Sequence, residues 1–332
     1  MASPRPLVVS MGDPAGIGPE IIGGAWKALC TAGPSFAVIG DAGVLHSLGF
    51  QVQAIEHVSQ AEEVFPGALP VLHSPVGVEV TPGAPSPGAA KAIIAWIRQA
   101  TQLCLEGKAS GLVTAPIAKA SLYSEGFPYP GHTEYIGALT ADAEFEGERG
   151  PVMMLAVQGL RTTLATIHKP LADVPGAITR DLIVHTGLVT DQALKRDFAI
   201  SSPHIAVAGL NPHAGESGSI GRQELDIIGP AIAELQGLGV RATGPYPADS
   251  LFTSDHRQRY DAAICMYHDQ ALIPVKMLDF WGGVNVSLGL PIVRTSPDHG
   301  TGFDIAGTGR ARPDSLIAAI HMARAISDCR TK

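Results

Sequence analysis

The chain has 332 residues, of which 45% are hydrophobic and 16% charged, with a formal net charge of −8. Single cores stop growing near ~250–300 residues, so two domains are expected and extended disorder is not. The acidic balance argues against a general nucleic-acid binder, and no apolar run approaches the ~20 residues of a membrane span. Cys30, Cys104, Cys265 and Cys329 make no CxxC pair, which argues against a disulfide framework or cysteine-based zinc site and fits a reducing, cytoplasmic setting. Residues 1–12 have neither the length nor the flanks of a signal peptide.

Short apolar runs alternate with helical patterns along the chain. Leu7–Ser10 reads as a strand, followed by a Gly/Pro loop and a helix over Ile21–Leu29. Ala37–Gly40 is a second strand-like run, and residues 81–88 form a loop. Apolar residues at three- and four-residue steps predict an amphipathic helix over Gly88–Glu106, followed by a strand at Gly111–Thr114. Val152–Val157, Thr162–Ile167, Ile205–Leu210, Ala262–Tyr267 and Gly283–Leu288 repeat the strand pattern, and a helix is expected over Asp314–Ile326. Strands alternating with helices imply an α/β fold with a largely parallel sheet. Ligands of such sheets sit beyond the carboxyl ends of the strands, so chemistry should follow the apolar runs.

Five stretches fit that rule. Met11–Glu20 (MGDPAGIGPE) could turn backbone N–H groups toward an anion, although it is no GxGxxG fingerprint and a plain tight turn explains it as well. His168, His213 and His268 each follow a predicted strand. Neutral imidazoles suit a borderline divalent metal, but the spacing matches no local zinc motif, and three hydrogen-bonded surface histidines are the simpler reading. Asp249 and Asp269 are carboxylates of the same neighbourhood, able to support a ligand or to cap a turn. In PGHTE, His132–Glu134 offers imidazole, hydroxyl and carboxylate, with Thr133 as a helix N-cap the competing reading. Lys276, Asn285 and Arg294 lie in apolar sequence, where a cation is costly unless paired with a phosphate, a carboxylate or a protein acid. Finally, Asp298–Pro313 (DHGTGFDIAGTGRARP) has the glycines of a loop wrapped on a ligand or of a solvated loop before the last helix.

In their order, MGDPAGIGPE, PGHTE, IHKPL, GLNPHAGE, PADSLF, YHDQALIPVK and GVNVSLGLPIVRTSPDHGTGFDIAG resemble the 4-hydroxythreonine-4-phosphate dehydrogenase (PdxA) family of vitamin B6 synthesis, over nearly the whole chain. The resemblance implies two α/β/α domains with a cleft between them, as in isopropylmalate and isocitrate dehydrogenases. Residues 1–130 plus 285–332 would form the nucleotide-side domain and 131–284 the metal, substrate and dimerisation domain. It implies a homodimer whose active site is shared at the interface. One divalent ion (zinc, magnesium or cobalt) is expected on His168, His213 and His268, the last from the neighbouring chain. The substrate is expected on His132, Thr133, Lys276, Asn285 and Arg294, with Asp249 and Lys276 as candidates for proton transfer. The cofactor is NAD or NADP, with Gly300, Asp304, Gly307 and Arg312 in its loop. Where isopropylmalate-type relatives read Ala-Asn-Pro, this chain has Ala311-Arg312-Pro313, and Asp142–Pro151 is longer than the family leads one to expect. The implied reaction is oxidation and decarboxylation of 4-phosphooxy-L-threonine to 3-amino-2-oxopropyl phosphate. A dehydrogenase of D-threonate or D-erythronate 4-phosphate, or of a cyclic diol dicarboxylate, would share these motifs. A histidine-metal hydrolase or lyase and a phosphometabolite-binding module are more distant alternatives.

Overall fold

A computed structural model describes residues 5–123, 126–129 and 131–331. Pro130 of PGHTE and the outermost residues of the expected first domain lie outside the described residues. In chain order the strands are β1 (Leu7–Ser10), β2 (Phe36–Gly40), β3 (Val52–Ile55), β4 (Leu69–His73), β5 (Leu112–Thr114), β6 (Val152–Val157), β7 (Leu160–Leu164), β8 (His204–Ala208), β9 (Arg241–Tyr246), β10 (Ala262–Cys265), β11 (Val284–Leu288) and β12 (Arg294–Pro297). The chain divides into two compact units, one running to Glu144 and joined by Leu290–Thr331, the other Phe145–Gly289.

The first unit holds the order β3-β4-β2-β1-β5-β12, and every pair in it is parallel. β1, β2 and β5 are buried along their whole length. That is why they read as unbroken apolar runs rather than alternating ones. Helix Ala90–Leu105 packs on β1 and β2, and helix Asp314–Arg330 packs on β12. Trp96 of the former is fully buried and its indole N–H donates to Ser74 O at 3.1 Å, so the ring contributes about 1.5–3 kcal/mol of burial without orphaning its polar atom.

The second unit holds β11-β6-β7-β10-β8-β9, parallel from β7 to β9 but antiparallel at β11–β6 and β6–β7. Val152–Val157 and the next strand are a hairpin, turned by Gln158 and Gly159 with φ of 43° and 83°. Both turn residues at positive φ match the twist of the flanking strands. The second strand therefore starts at Leu160 and ends at Leu164, earlier than the run Thr162–Ile167 suggested. β10 feeds two cores in alternation. Ala262 and Ile264 meet the helices Arg180–Phe198 and Gly229–Gly237, while Cys265 meets Ala271 and Val275 of helix His268–Leu278.

The unit boundaries fall at 144/145 and 289/290, later than the 130/131 and 284/285 read from sequence. Helix His132–Leu139 packs on Ala90–Leu105 and stays with the first unit, and β11 pairs with β6 and stays with the second. Among the described residues no helix is long and apolar enough to cross a membrane.

Candidate active site

Each unit carries its own group of functional side chains. In the first, Arg294 opens β12 and is 3% exposed. Its guanidinium donates to Thr114 Oγ1 at 2.7 Å, at the carboxyl end of β5, and to Thr133 Oγ1 at 3.3 Å. Burial pulls its pKa down to about 10, while the nearby Glu134 carboxylate pushes the other way. Even so, the group stays cationic near neutrality. His132 is the first residue of helix His132–Leu139, whose N-cap is Gly131, so the helix starts one residue before Thr133 and is not capped by it. Desolvation, then the charges of Arg294 and Lys119, hold the His132 imidazole well below its ordinary pKa. Its Nε2 is buried with no hydrogen-bond partner among the described residues. A buried cation, a neutral imidazole with an unused nitrogen, two hydroxyls and a helix N-terminus make an anion pocket.

In the second unit the histidines follow strand ends. His168 lies beyond β7 and His268 begins the helix after β10, and their ring centroids are 5.7 Å apart. Thr166 ties the two loops together by donating its hydroxyl to Met266 O at 2.6 Å. His268 Nδ1 meets Asp269 Oδ1 at 2.8 Å, which leaves Nε2 outward, the arrangement carboxylates impose on metal-binding imidazoles. His213 lies past β8 on a stretch, His213–Ser217, that is left-handed throughout. Buried Glu224 holds that stretch, accepting from the N–H groups of Leu210 and Asn211 at 2.8 and 2.7 Å. Gln270 links it to helix His268–Leu278 by donating to Gly209 O at 2.8 Å. The structure thus brings His168 and His268 together. No cluster of three metal-binding side chains forms among the described residues of one chain. The donors are exposed or half-exposed imidazoles, so the set suits a divalent ion chemically.

Asp249 is exposed on the short helix after β9, and Lys276 lies on helix His268–Leu278 with its ammonium 5.1 Å from the centroid of the Phe280 ring. Asn285 on β11 has a buried Oδ1 without a partner among the described residues, an acceptor that a bound ammonium or hydroxyl would satisfy.

The glycine loops belong to the first unit. Ile17 N–H donates to Thr301 O at 2.8 Å and Gly309 N–H to Glu20 Oε1 at 2.9 Å, so Met11–Glu20 and the loop after β12 are laced together. Beside them is a cavity of about 250 Å³ lined by Gly16, Glu20, Asp41, Ser47 and Gly307 among others. Glu20 Oε2 is buried there without a partner among the described residues. Among the described residues no lysine or arginine is in the lining, which suits ribose hydroxyls better than a phosphate. Of the four residues read as cofactor-binding, Gly307 lines this cavity, Gly300 and Asp304 are exposed on the same loop, and Arg312 is drawn into a bidentate pair with Asp314 at 3.0 and 3.1 Å.

Sequence reasoning missed Thr114, Lys119 and Glu224. The first two follow an apolar strand, the position that the carboxyl-end rule singles out. Glu224 carries no sequence signal, since only the folded loop reveals what it holds.

Parallel strands with an anion pocket after β5 and imidazoles after β7, β8 and β10 define an α/β enzyme of small anionic metabolites. Residues 33–323 match the family model of pyridoxal phosphate biosynthetic protein PdxA. The chain is 62% identical over 325 residues to 4-hydroxythreonine-4-phosphate dehydrogenase of Caulobacter vibrioides, covering 97% of this chain and 98% of that one. It is 53% identical to the enzyme of that name from Erythrobacter litoralis, with 96% of both chains covered. The crystal structure of 4-hydroxythreonine-4-phosphate dehydrogenase from Klebsiella pneumoniae superposes with a TM-score of 0.86 at 37% identity, over 98% of this chain and 99% of that one. The chain belongs to the PdxA family, a family of dehydrogenases in pyridoxal phosphate biosynthesis.

Proposed function

We propose that the protein oxidises 4-phosphooxy-L-threonine at C3 and decarboxylates the product to 3-amino-2-oxopropyl phosphate, with NAD or NADP as oxidant. The observation that carries this reading is the buried Arg294, held cationic beside a neutral His132 whose Nε2 is unused. That pocket fits a phosphate monoester, which forks onto a guanidinium and accepts from hydroxyl and imidazole. Asn285 Oδ1 is a natural acceptor for the substrate ammonium.

We assign one divalent ion (zinc, magnesium or cobalt) to His168, His213 and His268, with His268 supplied by a second copy of the chain as the family resemblance implies. Held by these histidines, the ion would supply Lewis-acid polarisation of a substrate oxygen, and a bound nicotinamide would supply the acceptor for the C3 hydride. The chain's own residues then orient and move protons. Arg294, Thr133 and His132 fix the phosphate end, so the C3 hydrogen is presented in one pose. Lys276 and Asp249 are the groups for taking the hydroxyl proton and returning one to C2 once the C1–C2 bond breaks and carbon dioxide leaves. A homodimer is favoured by the apolar surface of helix His268–Leu278 and its following turn, where Ile273, Met277, Phe280 and Trp281 are exposed. This helix also carries His268 and Lys276. Gly300, Asp304, Gly307 and Arg312 belong with the cofactor, and the carboxylates of Glu20 and Asp41 favour NAD, since a 2′-phosphate would face them.

The test is nicotinamide reduction by metal-loaded protein with 4-phosphooxy-L-threonine, D-threonate 4-phosphate and D-erythronate 4-phosphate. Metal-dependent turnover selective for the amino acid is expected. Preference for either sugar acid would move the substrate, and no reduction with any would remove the dehydrogenase reading.

A further inference from the structure

The first unit's anion pocket has a second cation. Lys119 closes the turn after β5 and opens the short helix Lys119–Tyr123. A Cβ added to Gly131 would lie 3.6 Å from Lys119 Cε, 3.9 Å from its Nζ and 3.3 Å from Glu134 Oε2. The ammonium and the carboxylate therefore lie against the bare Cα of the residue that caps helix His132–Leu139. The charge of Lys119 is also felt at the His132 ring. Among the described residues Lys119 forms no ion pair, and Glu134 acts instead on Arg294.

The turn that presents Lys119 is fastened by a buried acid with no other evident task. Asp13 is 1% exposed. Its carboxylate accepts from Ala15 N–H at 3.1 Å and from the backbone of Ala118, next to Lys119. Its own N–H donates to Pro116 O at 2.8 Å. Gly12 sits at φ +75°, and a Cβ there would come within 2.4 Å of Pro116 O, so only glycine lets the two loops close this far. A carboxylate without a cationic partner among the described residues is expensive to bury; desolvation raises its pKa, and the backbone N–H groups offset only part of that cost. The Met11–Glu20 motif thus does more than line a cofactor cavity.

We propose that Lys119 is a second phosphate-binding cation beside Arg294, and that Asp13 is a positioning residue that holds the turn presenting it. This rests on the reading that the pocket takes a phosphorylated substrate. A phosphate monoester carries about −1.5 to −2 charge at neutral pH. Two cations against the single Glu134 carboxylate leave one positive charge, and the helix N-terminus adds part of another. An uncharged hydroxyl or a carboxylate monoanion would not need both cations.

The experiment compares wild-type protein with Lys119→Gln, Lys119→Arg and Asp13→Asn, all full length. Inorganic phosphate binding is measured by calorimetry, KM and kcat with 4-phosphooxy-L-threonine, and Tm without ligand. Lys119→Gln is expected to weaken phosphate binding and raise KM by about 10–100-fold with kcat changed only a few-fold, the size of one charge-assisted contact. Lys119→Arg should recover most of the loss, and Asp13→Asn should raise KM in the same direction by a smaller factor. Unchanged phosphate affinity and KM in Lys119→Gln would overturn the proposal, and a lower Tm alongside would assign Lys119 to a structural pairing with Glu134. Unchanged KM in Asp13→Asn would remove the positioning role. If wild type binds phosphate but turns over none of the three acids, the substrate reading fails while the phosphate comparison still decides Lys119.

Discussion

The two units prepare their chemistry in opposite ways. The anion pocket of the first is built within one chain: Arg294 is buried, its hydrogen bonds to Thr114 and Thr133 are made, and the imidazole beside it is held neutral by its surroundings. The histidines of the second are exposed or half-exposed, and only His168 and His268 approach one another. Organic cations can be preorganised by packing alone, because the protein supplies both the charge and its hydrogen bonds. Imidazoles proposed to take a metal differ, since by that reading the ion itself would complete their arrangement. Beside His268 the second unit also exposes Ile273, Met277, Phe280 and Trp281, the surface that the proposed homodimer would cover.

The largest expected effect tests that contrast. His168→Ala and His268→Ala should each lower turnover by about 10³-fold or more and lose bound metal, with secondary structure unchanged by circular dichroism. Mixing the two inactive variants, unfolding and refolding them together, should restore about a quarter of wild-type activity if each site takes His268 from the partner, because half the molecules are mixed and one of their two sites is intact. No recovery would remove the shared-site reading and place His168 and His268 of one site on the same chain. A smaller effect is expected from Met277→Asp. Met277 is 82% exposed, and a charge in that apolar surface should weaken self-association by about tenfold or more in sedimentation, with activity falling on dilution. An unchanged sedimentation profile would move the interface elsewhere.

How far the sequence carried this picture depended on what each segment buries. β1 and β6 were legible to the residue because strands covered on both faces must be apolar throughout. β3 was not, since Gln53 and Ala54 are exposed at the sheet edge, and β9 was masked by Gly244 and Pro245 in an edge strand. β12 was missed for a functional reason. Its four residues, RTSP, are all buried, yet Arg294 and its polar neighbours erase the apolar signal that burial usually leaves. The same residue was legible as a candidate because a cation in apolar surroundings needs a partner. Its pairing with Thr133, 161 positions away, was not; the family resemblance implied only that both residues meet the substrate. Spacing arguments reach as far as one element, whereas the pocket is assembled by a parallel crossover.

The smallest expected effect bears on the first unit alone. The folded protein holds the His132 imidazole well below the ~6.5 of an unfolded histidine. Well above pH 6.5, from about pH 7.5, the ring is neutral in both states and contributes almost no pH dependence. As pH falls below 6.5 the unfolded chain takes up a proton that the native pocket resists, so stability drops, by at most about 1.4 kcal/mol per pH unit for one group. Because the residue as a whole is only partly buried, the slope should fall short of that limit. The wild-type Tm should therefore decline more steeply between pH 6.5 and 5 than that of His132→Gln, which has no ring to protonate. Phosphate should flatten the wild-type decline, because a bound dianion offsets the charges of Arg294 and Lys119 that help to keep the ring neutral. Parallel Tm profiles for the two proteins would mean that water reaches the ring freely, and the contrast between a finished pocket in one unit and an unfinished one in the other would lose its best-defined half.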